Sequence, residues 1–96
     1  LLIQIFTGTC NKKKISSLIK DIIKLLPQAK IVGSTTDGEI INGTVNSLST
    51  VLSFSIFEKT KIEVYSVGLE KNSYETGLKF IENILHVEKA KVLISF

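Results

Sequence analysis

Apolar positions along the chain recur with two different periods, and together they predict a domain that mixes strands and helices. Continuous or alternating apolar runs, typical of strands, occupy residues 1–6, 29–34, 48–57, 61–68 and 91–96. Apolar spacings of three and four, typical of one helical face, occupy residues 12–26 and 73–85. Two short strands, 39–41 and 44–46, flank Asn42-Gly43, which is a preferred sequence for a tight hairpin turn.

Caps and breakers set the predicted ends of the helices. Asn11 is a suitable N-cap for the first helix, and Pro27 ends it. Ser73 is the expected N-cap of the second helix, and the single histidine, His86, follows that helix. Strands joined through helices tend to be parallel, whereas the short connections in the centre favour antiparallel hairpins. The predicted fold class is therefore α/β (α+β), a mixed β-sheet with antiparallel central hairpins and helices packed on it.

The length of 96 residues suits one small domain, so residues 1–96 are expected to form a single domain. The sequence begins and stops inside apolar, strand-like runs. We expect the chain to be a fragment of a longer protein that covers part of its apolar surface.

Composition argues against several classes of function. All 12 basic residues are lysine and the net charge is only +3, which argues against nucleic-acid recognition because arginine is preferred for reading bases and phosphates. The one cysteine excludes a disulfide framework and a cysteine-rich zinc site, and it fits a reducing, cytoplasmic location. No apolar run approaches the roughly 20 residues of a membrane span. No metal or cofactor is expected.

The loop after the second predicted strand is the main candidate for ligand binding. It combines hydroxyl groups, carboxylates and backbone N–H groups between two glycines, and such loops on a rigid sheet often carry function. Its residues are Gly33, Ser34, Thr35, Thr36, Asp37, Gly38 and Glu39. The alternative is a simple turn, with Asp37 making the turn and Glu39 in an ion pair.

A second candidate is the start of the first helix, where free N–H groups and three lysines favour an anion. Its residues are Gly8, Thr9, Cys10 and Asn11, followed by Lys12, Lys13 and Lys14. The alternative for the lysines is a solvated surface cluster. Cys10 or Ser34 as the nucleophile of a hydrolase would need a nearby base, which the sequence does not show. The serines of the 48–57 run either line a polar pocket or lie on a wet sheet face.

The segment from Ile31 to Ile40, IVGSTTDGEI, resembles the glycine motif of the FIST N-terminal domain. The resemblance continues through Asn42–Val45, through the strand at 51–54 and through Phe57–Thr60. It implies a sensory module of bacterial or archaeal signalling proteins, with a FIST C-terminal domain and a signalling output domain as partners. Ser34 stands where the family commonly has cysteine, and Asp37 stands where it commonly has alanine, which adds a charge to the loop.

The expected function is non-enzymatic sensing of a small-molecule ligand such as an amino acid. Asp37 or Glu39 would bind the positive group of this zwitterion, and the segment from Gly8 to Asn11 would bind its negative group. Two alternatives stay open: a hydrolase that uses Ser34 or Cys10, and an assembly module or homo-oligomer in which apolar strand ends pair with another chain.

Overall fold

A computed structural model of the chain describes residues 1–84 and 92–95. Its contacts divide into two units, Leu1–Ile62 and Glu63–Phe96, each of which is described separately below. The first unit contains β1 (Leu2–Thr7), α1 (Lys12–Leu25), β2 (Lys30–Thr35), β3 (Glu39–Ile41), β4 (Thr44–Asn46) and β5 (Thr50–Ser55). The second unit contains α2 (Ser73–Ile84).

The first strand is the middle strand of a three-stranded mixed sheet with the order β2-β1-β5. It runs parallel to β2, with Leu2 opposite Lys30 and Thr7 opposite Thr35. It runs antiparallel to β5, with Thr7 opposite Thr50. The α1 crossover accounts for the parallel pairing, since parallel neighbours need a long connection. The predicted mixed α and β class is confirmed.

The core lies between the sheet and α1. Alternate residues of β1 face the helix, and Ile3 and Ile5 are buried there together with Ile22 of α1. Each such side chain contributes about 1.5–3 kcal/mol through burial. The apolar residues packed against this core come from α1 and from the neighbouring strands: Leu18, Ile19, Ala29, Ile31 and Leu52.

The predicted cap of the first helix is confirmed. The side chain of Asn11 accepts hydrogen bonds from the backbone N–H groups of Lys13 (3.1 Å) and Lys14 (3.2 Å). Two of the otherwise unpaired N–H groups at the helix start are therefore satisfied. The helix ends at Leu25, two residues before Pro27.

The short strands β3 and β4 form the predicted hairpin. Asn42 and Gly43 both have positive φ, 51° and 76°, as a two-residue turn of this kind requires. The hairpin forms a two-stranded sheet of its own beside the three-stranded sheet.

Three predicted strands need correction. The strand predicted at 48–57 spans only Thr50–Ser55, because Leu48 has a φ of 56° that no extended strand accommodates. Residues 61–68 are not a strand, and neither are residues 92–95, the described part of the strand predicted at 91–96. A strand needs a hydrogen-bonded neighbour, and apolar composition alone does not supply one. Lys91 and Phe96 lie outside the described residues.

In the second unit, the cap of α2 is Asn72 and not Ser73. The side-chain oxygen of Asn72 accepts a hydrogen bond from the N–H of Glu75 at 2.9 Å, and Ser73 is already the first residue of the helix. The predicted end of this helix at Leu85 and the nearby His86 lie outside the described residues. Within residues 1–84 and 92–95, no helix combines the length and apolar character needed to cross a membrane.

Candidate functional site

The loops that follow β1 and β2 lie side by side. The N–H of Thr36 donates a hydrogen bond to the carbonyl oxygen of Thr7 at 2.9 Å. The N–H of Gly8 donates to the carbonyl oxygen of Ser49, also at 2.9 Å, so the start of β5 joins the same junction. Because β1 and β2 are parallel neighbours, their carboxyl ends meet at one edge of the sheet. The structure therefore brings the two candidate loops together.

The carboxylate of Glu39 lies at the centre of this junction. Glu39 is only 2% exposed. The Thr36 hydroxyl donates to its Oε1 at 2.5 Å, and Ser49 donates to its Oε2 through both the hydroxyl (2.6 Å) and the backbone N–H (3.1 Å). These neutral donors satisfy the buried charge, and within the described residues no cation pairs with it. The predicted alternative of an ion pair for Glu39 is not observed.

These hydrogen bonds favour the charged form of Glu39. The Ser49 hydroxyl makes the largest contribution to lowering the pKa of Glu39, followed by the Thr36 hydroxyl, and burial opposes them. The carboxylate is therefore ionised at neutral pH but already engaged by groups of its own chain. Its predicted role toward the positive group of a ligand would require it to exchange one of these donors, and that role stays a prediction.

Asp37 is the available carboxylate of the loop. It is exposed, and the described part of the chain offers its side chain no hydrogen-bond or ion-pair partner. Next to it, the Ser34 hydroxyl donates to the carbonyl oxygen of Thr35 at 3.0 Å. Of the two loop carboxylates, Asp37 is therefore the one that can meet a cationic group without a rearrangement.

The loop after β1 uses most of its own donors. The N–H of Thr9 donates to the Thr7 hydroxyl at 3.3 Å, and the N–H of Asn11 donates to the Thr9 hydroxyl at 3.3 Å. The backbone N–H groups of Cys10 and Lys12 have no acceptor among the described residues. The predicted anion contact at this helix start therefore rests on these two N–H groups.

Two glycines allow the close approach of these segments. A Cβ on Gly33 would lie 2.2 Å from the carbonyl oxygen of Ile5 in the adjacent strand. A Cβ on Gly8 would lie 2.8 Å from the Cα of Leu48. Leu48 itself has the left-handed φ of 56°, which costs a residue with a side chain roughly 1–2 kcal/mol. The junction thus contains one strained residue, directly before Ser49.

A groove of about 260 Å³ opens beside the carboxyl ends of β1 and β2, between these strands and α1. Gly33, Ser34 and Thr35 of the candidate loop line it. Its other lining residues come from β1, α1 and the first half of β2: Ile5, Thr7, Ile15, Ile19, Ile31 and Val32. Thr36, Asp37, Gly38 and Glu39 do not line this groove, and neither do Gly8, Thr9, Cys10 and Asn11.

Sequence reasoning missed three contributors to this region. Ser49, interpreted only as one of several serines on a strand, supplies two of the three hydrogen bonds to Glu39. Ile15 and Ile19, interpreted as core residues of a helix face, also form a wall of the groove. The helical spacing of the apolar residues predicted that Ile15 lies on the apolar face of α1, but it did not predict the groove that this face borders.

The arrangement offers no support for nucleophilic catalysis among the described residues. The Ser34 hydroxyl is oriented by a carbonyl oxygen, and Cys10 is an exposed free thiol with no base hydrogen-bonded to it. Residues 1–84 and 92–95 also contain no group of three histidine, cysteine or acidic side chains that would hold a metal ion.

Comparison with known proteins gives one match. The sequence model of a family described as the FIST N domain matches residues 2–96. No curated protein and no solved structure matches the chain.

Proposed function

Because the chain belongs to the FIST N domain family, whose members are sensory domains of signalling proteins, we propose that it senses a small polar ligand such as an amino acid. The ligand would bind where β1 and β2 end. The observation that carries this proposal is the meeting of the two loops through the hydrogen bond from Thr36 to Thr7, next to an open groove. Crevices at the carboxyl ends of parallel strands are a common place for ligands.

The unpaired groups of the two loops have opposite electrostatic character. The Asp37 carboxylate is exposed and unpaired among the described residues, which suits an ammonium group. The N–H groups of Cys10 and Lys12 at the start of α1 suit a carboxylate. A zwitterion satisfies both, whereas a simple anion satisfies only the second. This complementarity favours an amino acid over an anionic metabolite.

The hydrogen bonds of Glu39 offer a physical route from the ligand to the rest of the protein. Glu39 joins the loop after β2 to Ser49, directly before β5. A ligand that moves the loop changes the balance of these hydrogen bonds, and it shifts the protein between two states if it binds them with different affinity. We propose that the receiving partners are a FIST C-terminal domain and a signalling output domain of a cytoplasmic parent protein.

The alternative of an assembly module has one feature in its favour. The hairpin of β3 and β4 exposes Ile40 and Val45, which lie opposite each other, and Leu48 follows nearby. Such apolar positions suit contact with another domain or with a second copy of the chain. Light scattering that finds a stable homo-oligomer would support this alternative.

A thermal-shift series on the full-length parent protein tests the sensing proposal. At a ligand concentration of about 100 Kd, binding stabilises the folded protein by about 2.7 kcal/mol. This corresponds to a rise in Tm of roughly 10–20 °C if the 96 residues unfold as one unit, and of roughly 5–10 °C in a cooperative unit of about twice that length. We expect such a rise with at least one amino acid and none with chloride or acetate.

The matched variants are Asp37→Asn and Asp21→Asn. Asp21 is an exposed carboxylate on α1, outside both loops. We expect Asp37→Asn to remove most of the ligand-induced rise in Tm and Asp21→Asn to retain it. Equal rises in both variants would disprove the role of Asp37, and rises with anions alone would disprove the amino-acid ligand.

A further inference from the structure

One isoleucine of α1 faces the groove without belonging to the core. Ile15 lines the groove, whereas Leu18, Ile19 and Ile22 of the same helix pack in or against the buried cluster. Ile15 is half-buried and lies one turn before Ile19 on the same face of the helix. The side chain of Ile15 therefore borders empty space, and it is not fully buried by the rest of the chain.

The backbone on the other side keeps the hollow open. Gly33 of β2 lines the groove and has no side chain to fill it. A side chain added there would force the two strands apart, since a Cβ would lie 2.2 Å from the carbonyl oxygen of Ile5. The hollow beside Gly33 is therefore a consequence of the tight pairing between β1 and β2.

The size and lining of the groove define what fits. Its volume of about 260 Å³ exceeds the roughly 150 Å³ of an apolar cavity that accepts benzene. Four isoleucines form its walls, and hydroxyl groups lie at the end where the strands stop. The isoleucines are Ile5, Ile15, Ile19 and Ile31, and the hydroxyl groups on this face of the sheet belong to Thr7 and Thr35.

We propose that the ligand sensed at this site carries a branched aliphatic group, as valine, leucine and isoleucine do, and that this group packs in the groove against Ile15. This inference rests on the proposed function, because it assigns the side chain of the amino acid whose charged groups the two loops would bind. The polar end of the ligand would lie at Thr35, at the end of β2 and next to the loop that contains Asp37.

The test is a calorimetric titration of the full-length parent protein with glycine, alanine, valine, leucine, serine and asparagine. Each buried methylene group is expected to improve Kd roughly fourfold. Leucine should therefore bind at least tenfold more tightly than alanine, while serine and asparagine should bind no better than alanine.

The groove is then filled by Ile15→Phe, with Ile23→Phe as the matched control. Ile23 is on the same helix, is 50% exposed and does not line the groove. We expect Ile15→Phe to weaken leucine binding at least tenfold with little change for glycine, and Ile23→Phe to leave both unchanged. If Ile15→Phe fails to fold, Ile15→Ala replaces it and should shift the preference toward longer aliphatic side chains.

The possible failures are distinct. If serine or glycine binds as tightly as leucine, or if Ile15→Phe binds leucine like the wild type, the aliphatic ligand is wrong while amino-acid sensing stands. If none of the six amino acids binds, the aliphatic ligand is wrong, and the thermal-shift series with the remaining amino acids decides separately whether the amino-acid ligand of the proposed function is wrong.

Discussion

Replacing Gly33 by alanine tests the close contact between β1 and β2. The added Cβ would lie 2.2 Å from the carbonyl oxygen of Ile5 and 3.0 Å from its carbonyl carbon. Separations under 3.0 Å essentially never occur for a real Cβ, so the strands must move apart by most of an ångström. The contact is with backbone, so no side-chain rotation relieves it.

The loss of stability in Gly33→Ala depends on how far β1 and β2 must separate to relieve the clash. The paired register of β1 and β2 runs from Leu2–Lys30 to Thr7–Thr35, and Ile5, which lies opposite Gly33, is a core residue. Overpacking of a well-packed interior costs about 1–3 kcal/mol. Because the clash is with a central strand, we expect Gly33→Ala to lower the free energy of unfolding by about 2–3 kcal/mol, or Tm by roughly 10–20 °C.

Gly38→Ala is the matched control at the other end of the same loop. A Cβ on Gly38 would have ordinary contacts, 3.6 Å to the carbonyl oxygen of Asn46 and 3.7 Å to Val45. Urea denaturation followed by circular dichroism measures both variants, and we expect Gly38→Ala to stay within about 0.5 kcal/mol of the wild type. If the two variants were equally stable, the argument that Gly33 is required by strand contact would be refuted.

Three further predictions concern the junction and the first helix. The pKa of Glu39 is lowered in the folded protein, so the stabilisation by its carboxylate is complete above the ordinary pKa of 4.5 and is lost as pH falls through the folded-state pKa. Chemical denaturation at a series of pH values should therefore show that the wild type loses more stability than Glu39→Gln below about pH 4.5. Parallel stability curves for the two proteins would contradict this. Leu48→Gly should raise the free energy of unfolding by up to about 1 kcal/mol, because relief of the left-handed φ exceeds the entropy cost of glycine and the Leu48 side chain is 84% exposed. A clear loss of stability in thermal denaturation would show that Leu48 has a role in packing. Asn11→Ala should cost about 1 kcal/mol through loss of the cap, measured against the capping-competent control Asn11→Asp, which should remain near wild type.

Local signals were sufficient for most of the first unit. The Asn11 cap, the 3.6-residue period of α1 and the Asn42-Gly43 turn each depend on residues close in sequence, and all three are confirmed. The strand expected at 61–68 depended on a partner that no local pattern specifies, and the structure has no strand there. The periodicity of apolar residues indicates which side of a helix or strand is apolar, but whether a strand forms depends on hydrogen bonding with another strand that is distant in sequence.

In the candidate site, too, the features set by residues close in sequence were predictable and those set by distant residues were not. The glycine-bounded loop after β2 was predictable because Gly33 and Gly38 enclose a run of polar residues, and the structure places that loop against the one after β1. The donors to Glu39 were not predictable, because Ser49 is ten residues away and looked like any serine of a strand. The groove was also not predictable, because it exists only where α1 and the strands leave space between them.

The central position of β1 has a consequence for how the protein is made. This strand is synthesised before both of its neighbours, and Thr7 and its partner Thr50 in β5 are 43 positions apart. At about 5–20 residues per second, a ribosome needs roughly two to nine seconds to deliver that neighbour. During this interval β1 lacks its neighbour β5, and Glu39 lacks both donors of Ser49. The junction around Glu39 is therefore expected to acquire its hydrogen-exchange protection late, after β5 has paired with β1.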